Sequence, residues 1–553
     1  MKKSFLCCSL AIFGLTLAGC SPIETILSTS SDNSNASIVT SSIPDVDIKE
    51  EFSVESVQFV DGNFDSIDYC FVNDANVNIL ITLDNYNSYD VIGINDSLDY
   101  ALNKIDDNNY YIHYDIDSEY GVKTFSLNSV SYSNDETNKL IPTNLKTNIF
   151  SCKEGTQKIK TADQLLDMNE GYYYELMNDI DLSEFDWSNP GEFSGVFNGH
   201  DYSINNMTAE GTNSVSDTDI YLGLFSQCNS GAVIFDLNIE KASFLVNALN
   251  ETKHRDIYYG AVIGKCTSNF IRLKNCSTNI DIAVITNTYV DTFIGGVIGG
   301  ISNSDKDDGV YRFDNCLVTS NANLVAISGN SIFGGVVGLL SNYGDCRFAN
   351  CFVTSIINSC SFNLGGIVGD LYNYGNCCFT ECSLSNITKA YGDESIMIGG
   401  IAAYLNNIGN CYFNNCSTTS MVELDKSRTL SFSKKLDCSI LYVVQPNNLN
   451  SGGIVGSLDN LGNCFFDSCA TTSIIESSYQ DEYWNDMLGG IIGNSIDNLG
   501  IYYFTDCYVE GNLSSGFPLA YLFKKYSVEN CTANITIGRT YINSIPNENT
   551  INN

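Results

Sequence analysis

Between about residue 156 and residue 540 the hydrophobic pattern of the chain repeats. Each copy has one or two glycines followed by aliphatic residues and a further small residue, and the copies begin at Gly260, Gly295, Gly334, Gly365, Gly399, Gly452 and Gly489. Downstream of each block an apolar residue, a variable residue and a polar residue precede a cysteine. The cysteines in this phase, including a last one without the glycine block, are Cys276, Cys316, Cys351, Cys382, Cys416, Cys469, Cys507 and Cys531. Short apolar runs bounded by glycine are typical of buried strands, so the repeat predicts a stack of equivalent strands.

The stack predicted by this pattern is a right-handed parallel β-helix. No single unit could bury its apolar positions alone, whereas a wound chain places like strands over one another about 4.8 Å apart. Phenylalanine and cysteine would then form columns in the interior. The right-handed sense is expected because parallel crossover connections nearly always have it. Asparagine directly precedes five of the cysteines, and we expect it to adopt the left-handed backbone conformation at a corner; these residues are Asn275, Asn315, Asn350, Asn415 and Asn530.

Residues 51–150 carry a different pattern, in which apolar and polar side chains alternate over short runs. Runs at 54–60, 77–83, 110–114 and 122–127 are separated by clusters rich in Asp, Asn and Gly. About 100 residues with roughly seven such strands predict an immunoglobulin-like β-sandwich. We expect this sandwich to serve as a spacer before the β-helix of residues 156–540.

The chain begins with charged, apolar and small residues in a fixed order. Lys2 and Lys3 precede an apolar run over residues 5–17 that is too short for a stable membrane span, and Leu17-Ala-Gly-Cys20 follows. This segment resembles the lipobox signal peptides of bacterial lipoproteins; an ordinary secretory signal is the alternative. The resemblance implies that residues 1–19 are removed and that a lipid on Cys20 tethers the chain to a membrane. Residues 20–50 would then be a flexible linker, and residues 541–553 a polar tail.

Three motifs at the start of the repeat region have a family likeness. Phe193-Ser-Gly-Val-Phe197, Gly223-Leu-Phe225 and Gly231-Ala-Val-Ile234 follow one another in this order. They resemble the Gly-Leu-Phe (GLUG-type) repeats of bacterial adhesins and of the noncatalytic N-terminal region of IgA-protease-like peptidases. The resemblance implies a β-helix on an adhesin-like surface protein. The chain has no His-Glu-x-x-His motif, so the peptidase part of that family is not expected. Upstream, Thr161 and Gln164 fit a capping box for a short helix that covers the first coil.

Composition limits the classes of partner. The chain has 27 Lys and Arg against 65 Asp and Glu, a net charge of −38, so nucleic acid and anionic lipid headgroups would be repelled. Three histidines (His113, His200 and His254) are isolated in the sequence, the six arginines are scattered, and the acidic residues form no convergent cluster. No catalytic residue, metal ligand or cofactor-binding residue is therefore predicted.

Two segments imitate functional motifs. Gly260–Thr267 is similar to a phosphate-binding loop, but its glycine spacing is too short and Cys266 stands where Ser or Thr is needed. The densest acidic set contains Asp179 and Asp181, with Glu184 and Asp186 nearby. We interpret Asp179 and Asp181 as polar positions of the first coil, with a Ca²⁺ or acid role as the alternative.

The cysteine pattern favours buried thiols. Besides the eight-residue ladder, a second column stands five residues ahead of a ladder cysteine, and it consists of Cys346, Cys377, Cys411 and Cys464. Cysteine in a periodic core position acts as a small apolar side chain, and we expect most of these thiols to be reduced, although export favours disulfides. Zinc is disfavoured because straight columns of sulfur do not converge tetrahedrally and the repeats lack histidine.

The sequence indicates the function less specifically than the fold. The leading hypothesis is a monomeric, lipid-anchored surface protein, adhesin-like and without catalysis, whose β-helix faces contact glycans or proteins. One alternative is a polysaccharide-active lyase or glycoside hydrolase, which two carboxylates on neighbouring coils would favour. Another is a passive envelope stalk. Residues 421–450 form the one large insertion and carry Lys426, Arg428, Lys434 and Lys435, so they predict a projecting loop.

Overall fold

The computed structural model describes residues 53–542 apart from short internal gaps. The gaps are 68–69, 73–75, 85–88, 96–100, 115–118, 135–136, 188–190, 213–217, 250, 252, 288, 304–308, 327–330, 361–362, 392–395, 425–429, 432–438, 441–448, 478–486, 496–499, 514–525 and 538–539. The predicted signal peptide with Cys20, the linker and nearly all of the polar tail lie outside the described residues.

The first part of the described chain forms two four-stranded sheets. Their strands are β1 (Ser53–Val60), β2 (Cys70–Val72), β3 (Asn78–Asp84), β4 (Asp90–Ile94), β5 (Asn103–Lys104), β6 (Asn109–His113), β7 (Gly121–Asn134) and β8 (Thr137–Cys152). One sheet has the antiparallel order β1-β3-β6-β5, and the other has the order β2-β8-β7-β4, in which β2 and β8 are parallel. Their apolar faces share one core that includes Phe59, Ile81, Leu127 and Ile149. The immunoglobulin-like topology stays a prediction.

A short helix and six strands start the second part. These elements are β9 (Thr156–Ile159), α1 (Ala162–Leu166), β10 (Tyr173–Leu176), β11 (Ile180–Asp181), β12 (Gly195–Asn198), β13 (Ser203–Asn205) and β14 (Thr208–Thr212). The Thr161 side chain accepts a hydrogen bond from the backbone N–H of Gln164, as the capping motif predicts. Ala162 and Leu165 are buried, so α1 packs on the first coil.

The remaining described chain is a parallel β-helix, which confirms the fold predicted from the repeat. Each full coil contributes one strand to each of four sheets, here called sheets a, b, c and d in the order in which the chain visits them. The coils are β15 (Ile220–Leu222), β16 (Phe225–Cys228), β17 (Ala232–Phe235) and β18 (Asn238–Ala248); β19 (Arg255–Gly260), β20 (Ile263–Cys266), β21 (Phe270–Lys274) and β22 (Ser277–Thr286); β23 (Val290–Gly295), β24 (Ile298–Ser302), β25 (Val310–Asp314) and β26 (Leu317–Ala326); β27 (Ser331–Gly334), β28 (Val337–Asn342), β29 (Asp345–Ala349) and β30 (Phe352–Cys360); β31 (Asn363–Gly365), β32 (Val368–Asn373), β33 (Cys377–Thr380) and β34 (Ser383–Tyr391); β35 (Ile396–Gly399), β36 (Ala402–Asn407), β37 (Cys411–Asn414) and β38 (Ser417–Leu424); then, after an insertion, β41 (Leu449–Gly452), β42 (Val455–Asn460), β43 (Cys464–Asp467) and β44 (Ala470–Ser477); and β45 (Met487–Gly489), β46 (Ile492–Ser495), β47 (Tyr502–Thr505) and β48 (Tyr508–Leu513).

The last coil is incomplete in the described residues. It supplies β49 (Tyr526–Glu529) to sheet c and β50 (Thr532–Ile537) to sheet d, and β51 (Thr540–Ile542) pairs antiparallel with β50. Within the 421–450 insertion, the strands β39 (Leu430–Ser431) and β40 (Ser439–Ile440) form a small antiparallel hairpin. The four basic residues of that insertion lie outside the described residues. The right-handed sense of the helix stays a prediction.

Two kinds of corner shape each coil. Between sheets a and b the backbones of successive coils come so close that a Cβ on Gly366 would run into the carbonyl oxygen of Gly400 and would lie 2.6 Å from the Leu384 side chain. Between sheets c and d one residue takes a positive φ, and the predicted asparagines occupy this place, with Asn275 at 52° and Asn315 at 55°. This left-handed corner lets the chain turn while the residues on both sides point inward.

The interior is filled by columns of identical side chains. The rings of Phe313, Phe348, Phe379, Phe413, Phe466 and Phe504 stack in order at 4.6–5.0 Å between centroids. All eight cysteines of the ladder are buried beside them. The Cys382 thiol donates to the carbonyl of Phe348 on the preceding coil at 3.4 Å, and Cys416 donates to Phe379 in the same way. The thiols thus link neighbouring coils as hydrogen-bond donors.

The second cysteine column faces a buried column of asparagine amides. Asn407 donates to the carbonyl of Gly409 at 2.7 Å and to the Cys411 sulfur at 3.3 Å, and Asn460 has the same relation to Gly462 and Cys464. The buried Asn at this corner therefore satisfies a backbone carbonyl that the turn between sheets b and c leaves open.

The sandwich packs against the outer surface of sheet c at its first coils. Phe150 and Cys152 of β8 form one buried cluster with Val196, Val233 and Phe270 of sheet c. Because Gly231 has a φ of 98° and a Cβ there would lie 3.1 Å from Val122, only glycine allows the two parts to approach this closely.

Candidate functional site

The side chains named from the sequence as site residues are core residues wherever the structure describes them. Every ladder cysteine is at most 5% exposed, and burial raises the pKa of the Cys276 thiol. Cysteines buried in a structural core are chemically inert because reagents and metal ions do not reach them. The ladder therefore serves packing, and surface chemistry has to be sought on the outward columns of the four sheets.

Sheet c presents an outward column that begins with three arginines. Arg272 pairs in register with Arg312, and Arg312 pairs with Arg347, so the three guanidinium-bearing residues occupy the same position on successive coils. The expectation that the arginines are scattered is wrong, because half of the six in the chain stand in this column. Arg255 pairs with Glu251, and Arg428 and Arg539 lie outside the described residues.

The arginine column forms one wall of a cleft of about 1330 Å³. The opposite wall comes from the sandwich and includes Gln58, Lys146 and Asn148. Among the cleft-lining residues that the structure describes, the ionisable Lys, Arg, Asp and Glu side chains are four cations (Lys146, Arg272, Arg312, Arg347) and one carboxylate (Asp345), a net charge of +3. The cleft thus has a sign opposite to that of the chain as a whole.

The three arginines differ in their surroundings. The Arg272 guanidinium donates to the Asn148 carbonyl at 2.9 Å and lies over the Phe270 ring, so it helps to hold the sandwich on sheet c. The side chains of Arg312 and Arg347 are exposed, and neither side chain forms a hydrogen bond or ion pair with another residue that the structure describes. Unit charges about 5 Å apart repel by about 3 kcal/mol at an effective dielectric constant of 20 and by about 1 kcal/mol in water. Solvent keeps this repulsion near the lower value. An anion bound between the two guanidiniums would make the net electrostatic interaction at this position attractive.

Past Arg347 the same column becomes aromatic, and the lining of the cleft extends over its next two members, Cys378 and Tyr412. Cys378 follows Arg347 in register, and Tyr412, Phe465 and Tyr503 come next. The ring of Phe465 stacks on Tyr412 at 5.0 Å and on Tyr503 at 4.9 Å, and all three side chains are partly exposed. Because the rings stack face to face, a ridge of ring edges continues the arginine column along the helix axis.

A second cluster lies on sheet a. Asp256 pairs in register with Asp291, and ligand atoms of His254, Asp256 and Asp291 lie within 4.8 Å of one another. Asp219 accepts a hydrogen bond from the backbone N–H of Asp256, and burial together with the Asp219 charge raises the pKa of Asp256. The expectations that acidic residues do not converge and that His254 is isolated are therefore wrong. Register brings these side chains together across coils.

The acidic cluster is backed by aromatic rings. The Tyr258 hydroxyl donates to Asp256 at 3.1 Å, and the Lys265 ammonium lies 4.1 Å from the centroid of the Tyr258 ring. Burial raises the pKa of Tyr258 and that of Tyr221, the latter to about 12, so both phenols stay protonated. Lys265 lies on β20, so the segment similar to a phosphate-binding loop is part of a coil.

The other polar residues considered in the sequence have structural contacts. Asp179 accepts from the backbone N–H of Ser203, and Asp181 accepts from the Asn206 amide, which lowers the pKa of Asp181. His113 lies 3.2 Å from Asn78, and His200 lies 3.5 Å from Glu175. These side chains connect strands of the sandwich or of the first coils.

Comparison with known proteins shows no family for this chain. No family model matches the chain, and no curated protein matches it. A crystal structure described as "a putative immunoglobulin A1 protease from Bacteroides ovatus" is similar to it, with 14% identity, a TM-score of 0.26 and coverage of 70% of this chain and 79% of that one. Among the described residues no helix has the length and apolarity needed to cross a membrane.

Proposed function

We propose that the protein is a lipid-anchored, adhesin-like binding protein of the bacterial cell surface that holds a glycan or a protein against the outer face of sheet c. The observation that carries this proposal is the cleft between the sandwich and sheet c, with a net positive lining in a chain of charge −38. Ligand sites favour the junction of two structural units, and a local charge opposite to that of the protein concentrates complementary ligands there.

The cleft is suited to binding more than to catalysis. The only carboxylate among its described lining residues, that of Asp345, accepts a hydrogen bond from the backbone N–H of Asn376 at 2.8 Å. Glycoside hydrolysis requires two carboxyl groups on either side of the bond to be broken, and lining of this kind supplies one. Rigid outward columns on paired strands are suited to holding a ligand in a fixed register.

The experiment that tests the proposal measures adhesion. The full chain displayed on a bacterial surface is compared with the chain carrying Cys20→Ser, and the purified protein is screened on glycan arrays and on cells. We expect binding to a defined set of glycans or cells, together with loss of lipid labelling and of surface retention in the Cys20→Ser variant. A protein that binds none of these would be a passive stalk.

The acidic cluster on sheet a favours a second candidate, a polysaccharide-active enzyme. Asp256 and Asp291 stand on neighbouring coils, and the raised pKa of Asp256 is the property that a general acid needs. Incubation with a polysaccharide panel followed by measurement of new reducing ends or unsaturated products tests this role. Activity that disappears in Asp256→Asn would establish it, whereas no product from any polymer would rule this second candidate out.

A further inference from the structure

We infer that the cleft binds a linear acidic polysaccharide, whose carboxylate or sulfate groups pair with Arg312 and Arg347 while the chain runs along the helix axis. This inference rests on the proposed function and specifies the ligand of the same site. It assigns the arginine column to binding the acidic groups of the ligand and the aromatic column to contacting its sugar rings.

The role of the arginine column in binding acidic groups follows from the exposure and the lack of side-chain partners of two guanidiniums. Arg312 and Arg347 stand in register on adjacent strands, and their exposed side chains form no ion pair or hydrogen bond within the described part of the chain. A guanidinium offers two parallel N–H donors to a carboxylate or sulfate, and such charge-assisted pairs are stronger than neutral hydrogen bonds. Two such forks side by side match two acidic groups on one ligand.

The spacing of the column indicates a polymer. Adjacent strands are about 4.8 Å apart, which is close to the length of one sugar residue in an extended polysaccharide. A chain that lies across the strands would therefore present successive residues to successive coils. The cleft volume of about 1330 Å³ exceeds that of pockets for single small molecules, so there is room for several sugar residues.

The aromatic continuation selects sugar over other polyanions. Past Cys378 the column offers Tyr412, Phe465 and Tyr503, whose partly exposed ring edges can contact the apolar faces of sugar rings. Nucleic acid carries a phosphate on every nucleotide, so its charge would extend beyond the arginines and be repelled by the acidic remainder of the protein. A polysaccharide of moderate charge density can place its acidic residues at the cleft and neutral ones beyond it.

The position of the cleft also explains why the sandwich packs where it does. Arg272 is held by the Asn148 carbonyl of the sandwich, and Lys146 of the same strand lines the opposite wall. The sandwich thereby covers the first rung of the column and leaves Arg312 and Arg347 open. We expect the ligand to enter at these two residues.

The test uses the purified full chain with Arg312→Gln/Arg347→Gln, and with Lys158→Gln/Lys160→Gln as the matched control. Both double variants remove two positive charges from exposed positions, but Lys158 and Lys160 lie in and beside β9, away from the cleft lining. The probes are polygalacturonate with about half of its carboxyl groups methyl-esterified, its fully methyl-esterified form, a sparsely substituted dextran sulfate and a single-stranded oligothymidylate. Binding is measured at low and at high salt, and thermal unfolding checks that each variant is folded.

We expect the parent protein and the lysine control to bind polygalacturonate, dextran sulfate or both, and the arginine variant to bind about tenfold or more weakly. Which of the two polymers binds distinguishes carboxylate from sulfate. Phe465→Ala should also weaken binding without changing its salt dependence. Equal binding of the fully methyl-esterified polymer, stronger binding of the oligothymidylate, no binding of either acidic polymer, or an arginine variant that binds like the control would overturn the inference. If the acidic polymers fail while the arrays or cells still bind, the ligand class is wrong and the proposed binding function stands.

Discussion

Asp370 allows the free-energy cost of a buried carboxylate in this fold to be measured. It stands on β32 with Leu339 and Tyr404 as its register neighbours and is 3% exposed. The Asn363 amide donates to its two carboxylate oxygens at 3.3 and 3.4 Å. Burial raises the pKa of Asp370 well above the ordinary value of an aspartate, to about 7. We predict that Asp370→Asn stabilises the protein above neutral pH.

The magnitude follows from proton linkage. Between about pH 4 and pH 7 the unfolded chain has released the Asp370 proton and the folded chain has retained it, so the stability of the native protein falls as the pH rises. Each pH unit contributes about 1.4 kcal/mol, and a separation of about three units gives about 4 kcal/mol in total. Asparagine is isosteric and neutral, and its oxygen can accept the same amide hydrogen bond. The variant should therefore equal the native protein near pH 4 and exceed it by up to about 4 kcal/mol at pH 8.

Guanidinium denaturation followed by circular dichroism at several pH values between 4 and 8 measures the effect as a difference between the variant and the native protein. Taking the difference cancels the titration of the many other acidic groups. Asp506→Asn is the matched control, because Asp506 is exposed and occupies the corner at which other coils have asparagine. A stability difference that does not change with pH, or a variant that is less stable at pH 8, would refute the reasoning.

Three further predictions concern the stack. Gly366→Ala should prevent folding or lower the denaturation midpoint sharply, because its Cβ would run into the Gly400 carbonyl, whereas Gly191→Ala has no atom within 4 Å of its Cβ and should behave like the native protein. Phe348→Ala should lower the free energy of unfolding in guanidinium by about 3–5 kcal/mol, because the ring is fully buried between Phe313 and Phe379 and its removal leaves a cavity. A Phe348→Leu variant that loses as much stability would argue against the cavity as the cause. Among the described cysteines, a thiol reagent should label the native protein at Cys70 and Cys378, the two that are partly exposed, and the ladder thiols only after denaturation; fewer thiols in the denatured protein than the cysteines present would reveal disulfides.

The β-helix was readable from the sequence because its core positions repeat both residue type and phase. Phe348 and Cys351 recur as Phe379 and Cys382 after one full turn, and a periodic interior of this kind admits few other folds. The left-handed corners at Asn275 and Asn315 were readable for the same reason. The sandwich carries only a generic alternation, which specifies strands but not their order.

The candidate site was not predicted although part of its signal is in the sequence. Arg312 and Arg347 each stand one residue before a phenylalanine of the core column, so the phase that aligns the core also aligns them. Reading the repeat only at its apolar positions hides this outward register. The cleft itself could not be predicted, because it depends on the packing of Phe150 and Val233 across two units far apart in sequence.

The coil-by-coil pairing has a consequence for how the molecule opens. Since each strand of the β-helix pairs only with its counterparts one turn before and one turn after, disruption of a coil weakens its two neighbours first and spreads outward from there. Arg312 and Arg347 belong to adjacent coils, so a molecule bound by both would hold these two coils together. Ligand binding would then be detected as slower amide hydrogen exchange in the turns on either side, before any change in the melting temperature of the whole chain.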